Sequence, residues 1–147
     1  MKNSNNNLPN DPLVGITIEK LGQKFRSGLI TCKEVTSIYF KRIKILNPYL
    51  HAYIYIYEKK GLTWADGIDK LFASGVDLGP LMGIPVAIKD ICSVNQMPTT
   101  NGSQIKSDDL TGLEGSLVKR LKSLGCVILG KTHTVEFALG ATGLNKY

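Results

Sequence analysis

Apolar positions recur at helical spacing in some stretches of the chain and as short unbroken runs in others. Ile18, Leu21 and Phe25 share one face at helical spacing; Thr17 before them can N-cap the helix and Gly28 after them can end it. Thr31 and Glu34 form a T-x-x-E capping box. Behind it Val35, Ile38, Tyr39, Ile43 and Leu46 draw a second stripe. Asn47–Pro48 should stop that helix, because proline disfavours α geometry in the residue preceding it. The loop between the two stripes is short, so an antiparallel helix pair is expected.

Residues 52–57, AYIYIY, combine aromatic and β-branched types and predict a strand. Helical spacing returns over 62–74 through Ala65, Ile68, Leu71 and Phe72, with Gly75 as C-cap. The turn-forming GPLMG then feeds a short apolar run at 84–88, which reads as a strand buried on both faces. Lys89 and Asp90 stand at its C-terminal end. A long polar loop over 93–112 leads to a helix at 114–124, marked by Leu117, Val118, Leu121 and Leu124 and closed by Gly125. Residues 126–129 read as another buried strand, and a short helix is expected from Thr134, burying Val135, Phe137 and Ala138. Strand, loop, helix and strand over 84–129 make a βαβ unit, whose strands lie parallel with a right-handed crossover. The expected class is α/β, with N-terminal helices ahead of a mixed, mainly parallel sheet. Residues 1–12, polar and Asn-rich, read as a disordered lead-in. The remainder, 13–147, reads as part of a single domain.

Composition narrows the function classes. A chain of 147 residues supports about one domain with one core. Hydrophobic content of 43% and charged content of 20% are ordinary for a globular protein. No stretch approaches the ~18 consecutive apolar residues of a membrane helix, and the start MKNSNNNLPNDP lacks the apolar region of a secretory signal. Cys32, Cys92 and Cys126 are odd in number and widely spaced, which argues against a zinc site or disulfide framework and for a reducing compartment. A cytoplasmic location is therefore expected, with no membrane partner. The net charge of +6 is spread out: Lys20, Lys24, Lys33, Lys41, Arg42 and Lys44 fall on the two N-terminal helices, and elsewhere basic residues adjoin only in pairs, Lys59–Lys60 and Lys119–Arg120. Without an aromatic-interleaved basic patch, no direct nucleic-acid contact is expected.

Among chemical candidates Lys89 comes first. Ligand sites in open α/β sheets gather beyond the carboxyl ends of strands. An amine held there beside apolar walls loses hydration, which favours the neutral form that can act as a base. Position alone favours the plainer reading, a surface lysine closing a strand. Two S-x-x-K strings, Ser103–Lys106 and Ser116–Lys119, have the spacing of Ser/Lys enzymes, but the first lies in a loop and the second opens an amphipathic helix, where capping is the simpler role. Cys92 with His51 or His133 would need side chains within hydrogen-bond reach, which sequence does not show. No G-x-S-x-G, H-E-x-x-H or P-loop occurs, and GATG at 140–143 lacks dinucleotide-fingerprint spacing.

The wording around Lys89 changes its weight. GPLMGIPVAIKD, residues 79–90, closely resembles the catalytic-lysine block of the amidase signature family, usually GPLxGIPvavKD. Pro98 to Ser103 match that family's P-T-T-x-G-S loop, and Val118 to Leu139 match its V-x-x-L-x-x-x-G-x-x-x-x-G-K-T-x-x-x-E-F-A-L segment. The N-terminal helices, with LNP-x-L-x-A-Y at 46–53, look like the family's opening, so the likeness spans roughly 15–147. The resemblance implies an α/β amidase fold, here incomplete, that hydrolyses a carboxylic amide without cofactor or metal. It implies a Ser–cis-Ser–Lys triad in which Lys89 is general base and later general acid, working through a bridging serine on a nucleophilic serine, with an acyl-enzyme intermediate.

The chain departs from the family in three places. The two serines belong to a Gly/Ser-rich block expected downstream of Asn145–Lys146–Tyr147, and none of the serines present lies in such a context. His133 stands where the family more often has Asn, and Met82 where His is frequent. The expectation is a truncated N-terminal portion, inactive alone, with open sheet edges that favour oligomerisation or pairing with a partner subunit. The substrate of a complete enzyme would be a small-molecule amide. The alternative is a non-catalytic module, or a glutaminyl-amidotransferase-type fragment that works through a protein partner.

Overall fold

A computed structural model describes residues 13–105 and 112–146; the expected lead-in at 1–12 lies outside them. Thr17 caps α1 (Ile18–Arg26) by accepting from the Lys20 N–H at 3.2 Å. Leu21 and Phe25 are buried, whereas Ile18 in the first turn is 55% exposed. Both halves of the second capping box form: the Glu34 N–H donates to Thr31 Oγ1 at 3.1 Å and the Thr31 N–H to Glu34 Oε2 at 2.8 Å. Such a cap contributes about 1 kcal/mol to helix α2 (Cys32–Leu50).

Helix α2 runs through Pro48 instead of stopping at it. Proline removes one N–H bond, but in the last turn, where local bonds offset the loss. His51 takes the left-handed conformation at φ 48° and donates its N–H to the Asn47 carbonyl at 2.8 Å. The Asn47 side chain accepts from the Tyr53 N–H at 2.7 Å and donates to the Tyr53 carbonyl at 3.0 Å. The principal helical partner of α2 is α3 (Glu58–Ala73), not α1. Gly61 permits that approach: a Cβ there would lie 2.8 Å from the Phe40 ring.

Strands β1 (Tyr53–Ile56), β2 (Pro85–Lys89) and β3 (Val127–Thr132) form a mixed sheet in the order β1-β3-β2. β2 lies parallel to β3 and joins it through a loop and α4 (Ser116–Ser123), the expected βαβ unit; β1 lies antiparallel on the other side of β3. Central β3 extends beyond the expected run to Thr132, buried from Val127 through Lys131. β2 is an edge strand, so the reading of burial on both faces fails there: Ile88 is buried while Ala87 and Lys89 are exposed.

The β2–β3 ladder carries one irregularity. Val86 pairs with Ile128 but Ala87 pairs with Gly130, so β3 accommodates an extra residue. Beyond it Ile88 pairs with Lys131 and Lys89 with Thr132. Ile88 and Ile128 pack with Val94, Met97 and Val118 beneath α4. Leu21, Phe25, Val35, Ile68, Met82 and Val127 fill the opposite layer, under α1, α2 and α3. After β3 the chain makes only a 3₁₀ turn, Glu136–Ala138, that buries nothing, with Phe137 at φ 48° and 45% exposed. The helix expected from Thr134 is absent because this backbone is spent on tying down a neighbouring loop.

Candidate functional site at the end of strand β2

Lys89 is the last residue of β2, held by its neighbours rather than by its own side chain. Ile88 anchors one side in the apolar layer beneath α4. Asp90 anchors the other; its N–H donates to the Thr132 carbonyl at 3.0 Å and its side chain is 1% exposed. The Cys92 N–H closes a turn onto the Lys89 carbonyl at 3.0 Å. Among the described residues the Lys89 ammonium has no hydrogen-bond or ion-pair partner. An amine on a rigid strand end, projecting from the face opposite Ile88, is thus available to groups outside this arrangement.

Beneath it lies a buried ion pair that sequence reasoning did not single out. Lys131, with no exposed surface, places Nζ 2.7 Å from Asp90 Oδ1. The ammonium also donates to Thr99 Oγ1 at 2.8 Å and to the Pro98 carbonyl at 3.1 Å. Asp90 Oδ2 accepts from the Thr100 N–H at 3.0 Å and the Thr100 hydroxyl at 2.6 Å. Two buried charges therefore neutralise one another, the Nζ–Oδ1 approach being an ion pair without hydrogen-bond alignment, and staple the loop 98–100 across the ends of β2 and β3. The signal was present: a lysine follows CVILG in a run otherwise suited to a core strand, where a charge needs a partner.

The loop is secured further along. The Asn101 N–H donates to the Asp90 carbonyl at 3.1 Å, and the Asn101 carbonyl accepts from the Phe137 N–H at 2.7 Å. Gly102 has φ +68°, and a Cβ there would meet the Thr134 carbonyl oxygen at 2.5 Å. Asn145 Nδ2 bridges the Gly102 and Thr134 carbonyls at 2.6 and 2.9 Å. Ser103 donates its hydroxyl to Glu136 Oε1 at 2.7 Å.

The other candidates separate from Lys89. Ser103 is engaged by a carboxylate, and its string partner Lys106 lies outside the described residues. Ser116 is the first residue of α4 rather than its cap, which is Gly115, so the capping role read for it does not hold. Cys92 packs half-buried beneath α4; His51 closes α2, and His133 donates its N–H to the Ala52 carbonyl. No Cys–His pair forms among the described residues. The buried thiols of Cys32 and Cys126 both donate into the GPLMG turn, to Gly83 at 3.3 Å and Leu81 at 3.6 Å. Burial pushes Cys32 up to about 12, aided by nearby Asp69, and also raises Cys126. Neither is a nucleophile at neutral pH. Among the described residues no group of three or more His, Cys, Asp or Glu could hold a metal ion.

Comparison with known proteins bears on the family and the fold. The A-type chain of the glutamyl-tRNA(Gln) amidotransferase of Acidothermus cellulolyticus is 35% identical over 133 residues, which cover 90% of this chain and 26% of that protein. The solved structure of native peptide amidase from Stenotrophomonas maltophilia superposes with a TM-score of 0.79 at 30% identity, covering 86% of this chain and 26% of that one. A further structure, described as an amidase, gives a TM-score of 0.82 at 28% identity, covering 90% and 30% respectively. The chain thus spans about a quarter of the length of the curated relatives it matches. The family model described as Amidase matches residues 34–147, which include both Lys89 and the Asp90–Lys131 pair, and the chain belongs to that family, the amidase signature enzymes.

Proposed function

We propose that this chain supplies the lysine of a Ser–cis-Ser–Lys triad that hydrolyses carboxylic amides, with Lys89 as general base and then general acid. One observation carries the reading. Within GPLMGIPVAIKD, Lys89 is held rigidly between Ile88 and Asp90, yet its amine is unengaged among the described residues. The nucleophilic and bridging serines lie in sequence beyond these 147 residues. The nucleophile's proton passes through the bridging serine to the Lys89 amine. The resulting ammonium returns a proton to the leaving nitrogen as the acyl-enzyme forms. The serines would approach along the open edge of β2, where the sheet has no further strand among the described residues. In this reading residues 13–147 form the first part of one amidase domain working in the cytoplasm.

Two tests follow. The chain alone is expected to show no aryl-amide hydrolysis. Co-expression with the complementary part of a relative's amidase domain restores hydrolysis, and Lys89→Ala abolishes it. Hydrolysis by the isolated chain that survives Lys89→Ala, or a restored activity indifferent to Lys89, sinks the assignment. A second reading is favoured by the curated relatives, which are A-type chains of amidotransferases: the amide is glutamine and the chain works within an assembly of several different chains. Glutaminase activity that appears only with those partners, with no hydrolysis of aryl amides, supports that version.

A further inference from the structure

One sizeable groove lies away from Lys89. It measures about 780 Å³, the size of a small-molecule site, and opens between α3 and the C-terminal end of α4. Its floor is Ile68 of α3 with Cys126 and Ile128 at the start of β3, while Lys89 lies across from Thr132 at the end of that strand. Four residues of strand separate them, roughly 13 Å.

Its walls are apolar and aromatic. Trp64, the chain's single tryptophan, is 46% exposed there, and Tyr57 lines the groove with it. Its rim carries one sign of charge: Lys59, Lys60 and Lys122 line it and no carboxylate does. Lys122 is tied to Glu114 at 2.5 Å and Lys60 reaches the Gln96 side chain over the Tyr57 ring, but Lys59 has no ion pair among the described residues. Gly67 is also in the wall. Glycine is among the poorest helix formers, and unlike Gly61 it is not required by packing: a Cβ at Gly67 would have no atom within 4 Å. The helix therefore leaves open space in the middle of the groove.

We infer that this groove binds an apolar monocarboxylate, its aryl or alkyl body against Trp64 and Ile128 and its carboxylate at Lys59 and Lys60. The site is independent of the triad proposed above. Apolar walls take the body of such a ligand, and a one-signed cationic rim fixes which end stays outside. An uncharged alcohol of the same shape loses the second contribution, and a dicarboxylate would have to bury a second charge against Ile68 and Ile128.

The test is a titration of the full chain with 4-phenylbutyrate and, separately, 4-phenylbutanol. It is read by Trp64 emission and by calorimetry. The acid is expected to saturate and to bind at least about fivefold more tightly than the alcohol, a difference of about 1 kcal/mol. Gly67→Leu, which fills the open space without a clash, should weaken the acid about tenfold with the unfolding midpoint unchanged or raised, since leucine is the better helix former. Lys59→Gln/Lys60→Gln should bring the acid down to the alcohol. No saturable binding up to about 10 mM, equal binding of acid and alcohol, or binding indifferent to Gly67→Leu and to the lysine pair would each overturn the inference. So would a Trp64 shift that follows protein concentration and that the acid does not compete with, which would assign the groove to a second copy of the chain.

Discussion

Lys131→Met tests the buried pair that fixes the candidate site. The substitution keeps the length of the side chain and removes one charge. Lost with it are the contacts of Nζ to Asp90 at 2.7 Å, to Thr99 at 2.8 Å and to Pro98 at 3.1 Å. Thr100 still donates twice to Asp90, so the carboxylate keeps hydrogen bonds but has no counter-charge, at 1% exposure. Removing one member of a buried pair costs about 3–5 kcal/mol, chiefly from the stranded charge. Taken as about 4 kcal/mol against the 5–15 kcal/mol available to a typical domain, the folded-to-unfolded ratio falls about a thousandfold. At a urea slope of about 2 kcal/mol/M, the midpoint moves down by about 2 M. Urea unfolding monitored by Trp64 fluorescence and far-UV circular dichroism reads the shift directly. Adding Asp90→Leu removes the stranded charge, so the double variant should be at least about 2 kcal/mol more stable than the sum of the single losses. A midpoint for Lys131→Met within the equivalent of about 1 kcal/mol of the parent, or strict additivity in the double variant, would refute the electrostatic account of this loop.

Three further outcomes are expected. Asp77 is held at about 2 by the two-pronged Arg26 guanidinium and the Gly79 N–H, and Asp66 at about 2 by Lys33 and Lys70. Carboxylates depressed in the folded state contribute stability that is present above pH about 4 and lost as pH falls towards 2; Asp66→Asn/Asp77→Asn should flatten that acid limb in a thermal-melting series, and an unchanged limb counts against it. In a timed thiol titration at neutral pH, half-buried Cys92 should react first, with Cys32 and Cys126 silent until urea is added; early modification of Cys32 would contradict its burial. Gly102→Ala must place a Cβ 2.5 Å from the Thr134 carbonyl at positive φ, and should destabilise by about 2 kcal/mol or more in the same urea assay, whereas a neutral result would mean the loop can re-route.

What could be read before the structure was what local chemistry decides. The capping box at Thr31–Glu34, the glycine stops at 28, 75 and 125 and the βαβ order depend on neighbours in sequence, and they are present. The misreadings arose where distant residues decide. Pro48 is tolerated because the Asn47 side chain reaches Tyr53, a bond no pattern around the proline announces. β2 looked doubly buried because its residues are apolar, but burial of an apolar run depends on which strands flank it. For the candidate site, Lys89 is singled out by the wording of its block alone, and the structure adds how its backbone is held. Lys131 lay in plain view in the GKT run, but its partner Asp90 sits 41 residues earlier, so only the parallel pairing of β2 with β3 brings the two together.

The extra residue in β3 has a consequence for charge. In an unbroken ladder continuing from Val86 opposite Ile128, Lys89 would fall opposite Lys131. Their Cα atoms would then be about 5 Å apart on one face, two like charges side by side. The insertion, between Ile128 and Gly130, reverses the parity of everything after it. Lys131 turns to one side of the sheet, to be neutralised by Asp90, and Lys89 to the other. Gly130 suits the place just after the insertion, since a Cβ there would strike the Tyr55 carbonyl oxygen at 2.1 Å. The sheet itself thus acts as the insulating layer between a buried ammonium paired with a carboxylate and an exposed one.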